Sequence, residues 1–247
     1  MNFRHPQGAG SHEPVVSGMT LLDAVVRQLL GRMNLPATLE PRPRLRGRLH
    51  QAAAATSVGG LVWLVGDART PLATVAACVY GIATILLYVT SSLYHVYAHS
   101  TRARAVMKRL DHSMIYVLIA GTYTPVGLLA LSGSFRWVLL GLVWAGALAG
   151  IALTTFALDR FSKLTWGLYL VLGWPAIVAV PEFARRPMLL VLAALGGVLY
   201  TIGAVLFALH RPRPVAVWFG YHEYWHAVGI AAGALFFALN LSLIAAG

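Results

Sequence analysis

Long apolar stretches alternate with short polar connections along most of this 247-residue chain. A helix needs about 20 apolar residues to cross the roughly 30 Å of hydrocarbon in a bilayer. Seven stretches come close to that length or exceed it: residues 50–66, 72–97, 110–131, 137–158, 164–180, 188–209 and 222–246. The pattern therefore predicts an all-α integral membrane protein, a seven-transmembrane helix bundle over residues 49–247. The first span is the weakest, because Gln51 and Thr56 dilute it.

The first 48 residues do not continue this pattern. A short apolar repeat at helical spacing, at about residues 20–33, is interrupted by charged side chains. It predicts an amphipathic helix on the membrane surface rather than a cleavable signal peptide. The flanking segments, 1–17 and 34–48, are rich in Pro, Arg and Gly and are expected to be disordered. Residues 1–48 are thus predicted to form a cytoplasmic tail.

Composition agrees with a membrane location, since 58% of the residues are hydrophobic, only 11% are charged, and the mean hydropathy is +0.71. The net charge of +11 would also suit a nucleic-acid partner. The basic residues, however, cluster beside apolar spans: Arg42, Arg44, Arg46 and Arg48 in the tail, and Arg102, Arg104, Lys108 and Arg109 before the third span. That placement favours contact with anionic lipid headgroups, and we expect no nucleic-acid partner.

The distribution of basic residues also predicts an orientation. Fifteen of the Lys and Arg residues lie in the tail and the even-numbered loops, and four lie on the other side. Because cytoplasmic loops carry the excess of positive charge, the N-terminus is predicted to be cytoplasmic and the C-terminus to lie outside.

Ionisable residues from three distant stretches are predicted to reach one membrane depth, near the cytoplasmic face. His222 and His226 match the HExxH pattern and lie about 40° apart around a helix, so both imidazoles face one point. His95 ends the second span and Asp111 opens the third, while Ser91 lies one turn from His95. Three imidazoles plus a carboxylate, bound directly or through water, predict a tetrahedral Zn²⁺ site with an open position.

Other histidines are rivals for this site. His99 falls where the span gives way to basic residues, and a solvated or headgroup role is expected. His112 points about 100° away from Asp111 and is expected to pack against a neighbouring span. No partner pattern accompanies the remaining four, and they are expected to be hydrogen-bonded packing residues rather than ligands: His5, His12, His50 and His210.

Three motifs together resemble the hemolysin III proteins, bacterial members of the progestin and adiponectin receptor family. They are SSLYH at 91–95, RLDHSMIY at 109–116 running into IAGTYTP at 119–125, and HEYWH at 222–226. The resemblance covers about residues 45–246. It implies a seven-helix bundle with zinc held by histidines at 95, 222 and 226, a carboxylate at 111 that holds or activates the zinc-bound water, and a supporting serine at 91. This family is grouped with alkaline ceramidases among intramembrane hydrolases.

The HExxH match alone would indicate a metalloprotease with Glu223 as its base. Only 21 residues follow His226, and they contain no His, Asp, Glu or Cys, so a third ligand has to come from upstream. A structural or headgroup-facing role is therefore expected for Glu223. Pro125 and Pro175 interrupt two spans and predict kinks that widen the bundle.

These observations lead to one main hypothesis, a zinc-dependent hydrolase of the bacterial inner membrane that cleaves an amide or ester of a membrane lipid. Asp111 would accept the proton of the attacking water, and Ser91 would donate a hydrogen bond to the developing oxyanion. Two alternatives remain open. One is a membrane-perturbing or pore-forming protein, and the other is a zinc-stabilised homeostasis sensor without catalysis.

Overall fold

A computed structural model describes residue 43 and residues 45–158, 162–175, 179–212 and 218–247. The regular secondary structure of these residues is helical: α1 Arg48–Asp67, α2 Pro71–Ser92, α3 Thr101–Pro125, α4 Gly133–Ala157, α5 Ser162–Gly173, α6 Val180–Phe183, α7 Pro187–Ala208 and α8 Tyr221–Ala246. One π-helical turn, Leu93–Tyr97, extends α2, and a second, Val126–Ala130, extends α3. The surface helix predicted at about 20–33 lies outside the described residues.

Five of the described helical segments are long and apolar enough to cross a membrane: Pro71–Tyr97, Thr101–Ala130, Gly133–Ala157, Pro187–Ala208 and Tyr221–Ala246. Large apolar side chains also cover the outside of the helices, and Phe156 is 87% exposed. A soluble protein rarely leaves so much apolar surface in water. The chain is thus an all-α integral membrane protein.

The helix α3 begins well before the predicted start at residue 110. The Ser100 hydroxyl accepts a hydrogen bond from the Ala103 amide at 3.1 Å and caps the helix at Thr101. Arg and Lys are good helix formers, so the basic segment expected as a loop forms the first turns of α3.

The helix α5 ends at Gly173, whereas the predicted span continues to residue 180. Pro175 lacks an amide hydrogen and disfavours helical backbone at Trp174, so the sequence stops the helix there instead of kinking it. At Pro125 the outcome differs, because α3 passes directly into the π-helical turn Val126–Ala130.

The packing of α8 determines where the site lies. It contacts α7 along much of its length and also touches α1, α2 and α3. The helices α2 and α3 come close at Gly121, where an added Cβ atom would lie 2.5 Å from the Cβ of Ala83. Small residues allow such close approach between membrane helices. The N-terminal ends of α1 and α8 meet the C-terminal end of α2, and the site lies at this junction.

Candidate metal centre

Three histidines from two distant helices meet at this junction. The π-helical turn after α2 carries His95, and the first two turns of α8 carry His222 and His226. Each offers one ring nitrogen, and these nitrogens all lie within 4.8 Å of one another. The Nε2 atoms of His95 and His222 are 3.1 Å apart.

The spacing of these nitrogens suits a metal ion. A tetrahedral Zn²⁺ ion lies about 2.0–2.1 Å from each imidazole nitrogen, which puts two ligand nitrogens roughly 3.3 Å apart. The distance from His95 to His222 is close to that value. His95 and His226 are also buried, with 8% and 4% of their surface exposed. The cluster can therefore hold a metal ion away from bulk water.

The backbone at His95 departs from the α-helix. The amide of Ala98 donates to the carbonyl of Leu93 at 3.1 Å, five residues earlier, which closes a π-helical turn. Single π-turns inside helices are frequent at functional sites. Here the wider turn carries His95, the one histidine of the cluster that α8 does not supply.

Asp111 and Ser91 lie beside the histidines. The Oδ2 atom of Asp111 is 3.7 Å from the Nε2 atom of His95, and the Ser91 side chain neighbours this carboxylate. A distance of 3.7 Å is too long for a hydrogen bond. It leaves room for an ion or a water molecule that both groups contact. The structure thus places the five residues selected from the sequence in one region: Ser91, His95, Asp111, His222 and His226.

A cavity of about 450 Å³ begins at four of these residues, Ser91, Asp111, His222 and His226. That volume falls in the range of about 300–1,000 Å³ found for small-molecule sites. The histidines and the carboxylate of the lining are His50, Asp111, His112, His222 and His226, and Ser91 is among its hydroxyl groups. The remaining walls are largely apolar and come from α2, α3, α5, α7 and α8, with Ile119, Leu190, Phe236 and Leu239 among them.

Glu223 is held by structural contacts. It is 2% exposed, so it does not face lipid headgroups. One carboxylate oxygen accepts a hydrogen bond from the Arg46 guanidinium at 2.6 Å, and the other accepts from the Gly220 amide at 2.8 Å. The contact with Gly220 caps α8. These contacts support a structural role for Glu223.

His50 packs against the site, a position that the absence of a partner pattern did not predict. Its ring stacks on the ring of His226 with the centroids 3.8 Å apart and the planes 20° apart, and the residue is 7% exposed. No sequence spacing relates these two residues. Membrane depth was the available signal, because His50 opens the first predicted span on the same face as His95 and His222.

The other histidines lie outside the cluster. The Nδ1 atom of His112 is 2.8 Å from the carbonyl of Lys108, and the His112 carbonyl accepts a hydrogen bond from Tyr169 of α5 at 2.9 Å. The contact with Tyr169 is made by the backbone, whereas the His112 ring lines the cavity with its Nδ1 atom 3.9 Å from the Oδ2 atom of Asp111. His99 is exposed, and His210 packs near Tyr221. His5 and His12 lie outside the described residues.

Fold and site together define a class, the helical integral membrane proteins with a buried histidine cluster that can hold a metal ion. The family profile described as "Haemolysin-III related" matches residues 40–237. Hemolysin-3 of Bacillus cereus is 36% identical over 195 residues, which cover 76% of this chain and 85% of that protein. The hemolysin-3 homolog of Bacillus subtilis (strain 168) is 35% identical over 193 residues, covering 76% of this chain and 87% of the relative. The chain belongs to the haemolysin III family, as its motifs predicted.

Proposed function

We propose that this protein is a zinc-dependent hydrolase that cleaves an amide or ester bond of a membrane lipid. The observation that carries the proposal is one continuous cavity. It has histidines, a carboxylate and a hydroxyl at one end and apolar walls beyond them. An amphiphile has the same division between a polar group and a hydrocarbon chain.

Each polar residue has a role in this reaction. His95, His222 and His226 would hold the ion, which would supply Lewis-acid polarisation of the scissile carbonyl and a lowered pKa for the attacking water. Asp111 takes a proton from the attacking water and returns it to the departing nitrogen or oxygen as the carbon–nitrogen or carbon–oxygen bond breaks. Ser91 donates a hydrogen bond to the oxyanion that develops on the substrate carbonyl.

The cavity favours a lipid with a long acyl chain. It follows α3 from Asp111 to Val126, a rise of about 22 Å at 1.5 Å per residue. Tyr123 lines the far part of the cavity, and its hydroxyl donates to the Gly173 carbonyl at 2.8 Å. A chain that lies along α3 would place its carbonyl group beside Asp111 and the histidines.

The proposed topology has seven spans, with α1 and the region of α5 added to the five long helices. The positive-inside distribution supports a cytoplasmic N-terminus and a C-terminus outside. The site then lies in the cytoplasmic leaflet of the bacterial cytoplasmic membrane. Basic residues at the start of α3 would contact anionic lipid headgroups there.

The test is hydrolysis by the purified full-length protein. We expect stoichiometric zinc and release of fatty acid from synthetic long-chain amides or esters, or from a bacterial lipid extract, measured by mass spectrometry. Asp111→Ala should retain zinc and lose turnover, and His226→Ala should lose both. Comparing lipids from deletion and overexpression strains, with wild type beside His226→Ala, would identify the substrate.

Two results would overturn the proposal. If the protein holds zinc but Asp111→Ala and His222→Ala leave the lipid profile unchanged, the metal has a structural role, as in the sensor hypothesis. The name hemolysin-3, carried by both relatives, supports a second candidate, membrane perturbation. Leakage from protein-containing liposomes that persists after zinc removal would favour that candidate.

A further inference from the structure

We propose that the turn leading into α1, together with the first turn of that helix, is a clamp that positions the three histidines. The clamp consists of Arg46, Gly47 and His50, and none of these residues binds the ion itself. The inference rests on the proposed metal centre and assigns to it a third helix, α1, in addition to α2 and α8.

The first contact fixes the beginning of α8. The Arg46 guanidinium donates to the carboxylate of Glu223 at 2.6 Å, and Glu223 lies between His222 and His226 on that helix. The Glu223 side chain is 1% exposed and that of Arg46 is 24% exposed. A short, charge-assisted bond to a buried carboxylate is strong and directional. Arg46 therefore holds the turn of α8 that carries His222.

The second contact fixes the π-helical turn. Gly47 has φ +78°, a left-handed conformation that favours glycine. A Cβ atom at this position would lie 2.6 Å from the Cβ of His95 and 2.9 Å from the Cγ2 of Val96. The backbone of the clamp thus packs directly on the residue that supplies the third ligand. Gly47 sets how closely α1 approaches His95.

The third contact fixes the ring of His226. One face of that ring stacks on His50, and Tyr88 of α2 meets the His50 ring edge to face with the centroids 5.1 Å apart. The Nδ1 atom of His50 is buried and makes no hydrogen bond within the described part of the chain. Its contribution is therefore the flat face of the ring, which limits rotation of the His226 imidazole.

These three contacts reach three different parts of the centre: the start of α8, the π-helical turn and the His226 ring. Metal ligands need positions accurate to a fraction of an ångström, and groups that orient them affect affinity by about 10- to 100-fold. The clamp residues supply contacts that can hold the three histidines with this accuracy. It predicts a loss of metal affinity when α1 contacts are removed, even where the ligands are intact.

The experiment measures zinc affinity of full-length protein in detergent, by competition with a chromophoric chelator, together with the Co²⁺ absorption spectrum. Arg46→Ala, Gly47→Ala and His50→Ala are each expected to weaken zinc binding about tenfold or more and to alter the Co²⁺ spectrum. Two conservative variants should recover much of the affinity. Arg46→Lys keeps the charge, and His50→Phe keeps the aromatic face.

Val143→Ala is the matched control. Val143 is 1% exposed in α4, a helix that supplies neither clamp nor ligand residues, so its truncation lowers thermal stability without touching the site. We expect its zinc affinity to equal that of wild type. The clamp is overturned if its variants bind zinc as tightly as wild type. It is also overturned if Val143→Ala weakens zinc binding as much as a clamp variant that has the same melting temperature. Absence of zinc from the wild-type protein would instead overturn the metal centre itself.

Discussion

The described residues contain two π-helical turns, and the two differ in their cause and surroundings. The turn Leu93–Tyr97 contains no proline, carries His95 and lies against Gly47. The turn Val126–Ala130 directly follows Pro125 and carries only apolar residues, with Leu128 packed in a core cluster beside Ala76 and Leu140. Proline disrupts the regular hydrogen bonding of a helix and accounts for the second turn locally. The first has no such local cause, and its surroundings are the candidate metal centre.

The largest expected effect comes from the first turn. His95→Ala removes one of the three proposed ligands, and we expect the stoichiometric zinc proposed for the purified protein to fall to near zero in this variant, measured by atomic emission. The protein should remain helical by circular dichroism. Stoichiometric zinc in this variant would show that His95 is not a ligand.

The corresponding change in the second turn should act on stability alone. Leu128 is 8% exposed in the core, and Leu128→Ala is expected to lower the free energy of unfolding by about 2–5 kcal/mol. Denaturant unfolding in detergent would measure the change. Its zinc content should match that of wild type, and a parallel loss of zinc would remove the distinction between the two turns.

A smaller effect is expected from the contacts around the first turn. Arg46→Ala leaves the Glu223 carboxylate buried without its charged partner and should lower the free energy of unfolding by about 1–3 kcal/mol, since Arg46 is partly exposed. The double variant Arg46→Ala, Glu223→Gln should regain much of this loss because no buried charge remains. Equal stability of the single and double variants would contradict the role of the charge.

The smallest effect is expected from Pro125→Ala. It restores an amide hydrogen and should slow hydrogen exchange of the amides in the second turn, with a change of less than about 1 kcal/mol in unfolding free energy. Mass spectrometry of hydrogen exchange would detect the change. Unaltered exchange there would mean that packing around Leu128, rather than the proline, sets the turn.

Sequence patterns predict the long helices well because their apolar residues are continuous. The observed α7 and α8 begin and end within a residue of the predicted spans. The three histidines and Asp111 could also be predicted from the sequence, since HxxxH spacing is local and the positive-inside rule places distant residues at one depth. The resemblance to the family added the roles of these residues.

The contacts made by α1 and the turn before it could not be predicted from the sequence. The stacking of His50 on His226 and the pairing of Arg46 with Glu223 join residues about 177 positions apart, through helix packing that no periodicity records. The early end of α5 had a visible signal in Trp174-Pro175, but a proline in an apolar span can either kink a helix or end it. Only the packing of the chain distinguishes these outcomes.

The length of the cavity along α3 should determine how inhibitor affinity depends on alkyl chain length. An alkyl hydroxamate, with its metal-binding group at His222 and its tail beside Ile119, should gain about 0.8 kcal/mol for each methylene that the apolar walls bury. Affinity would rise with chain length and then level off once the tail extends past Tyr123 and Gly173, which line the far part of the cavity. The chain length at that plateau would report which acyl groups the protein can accommodate.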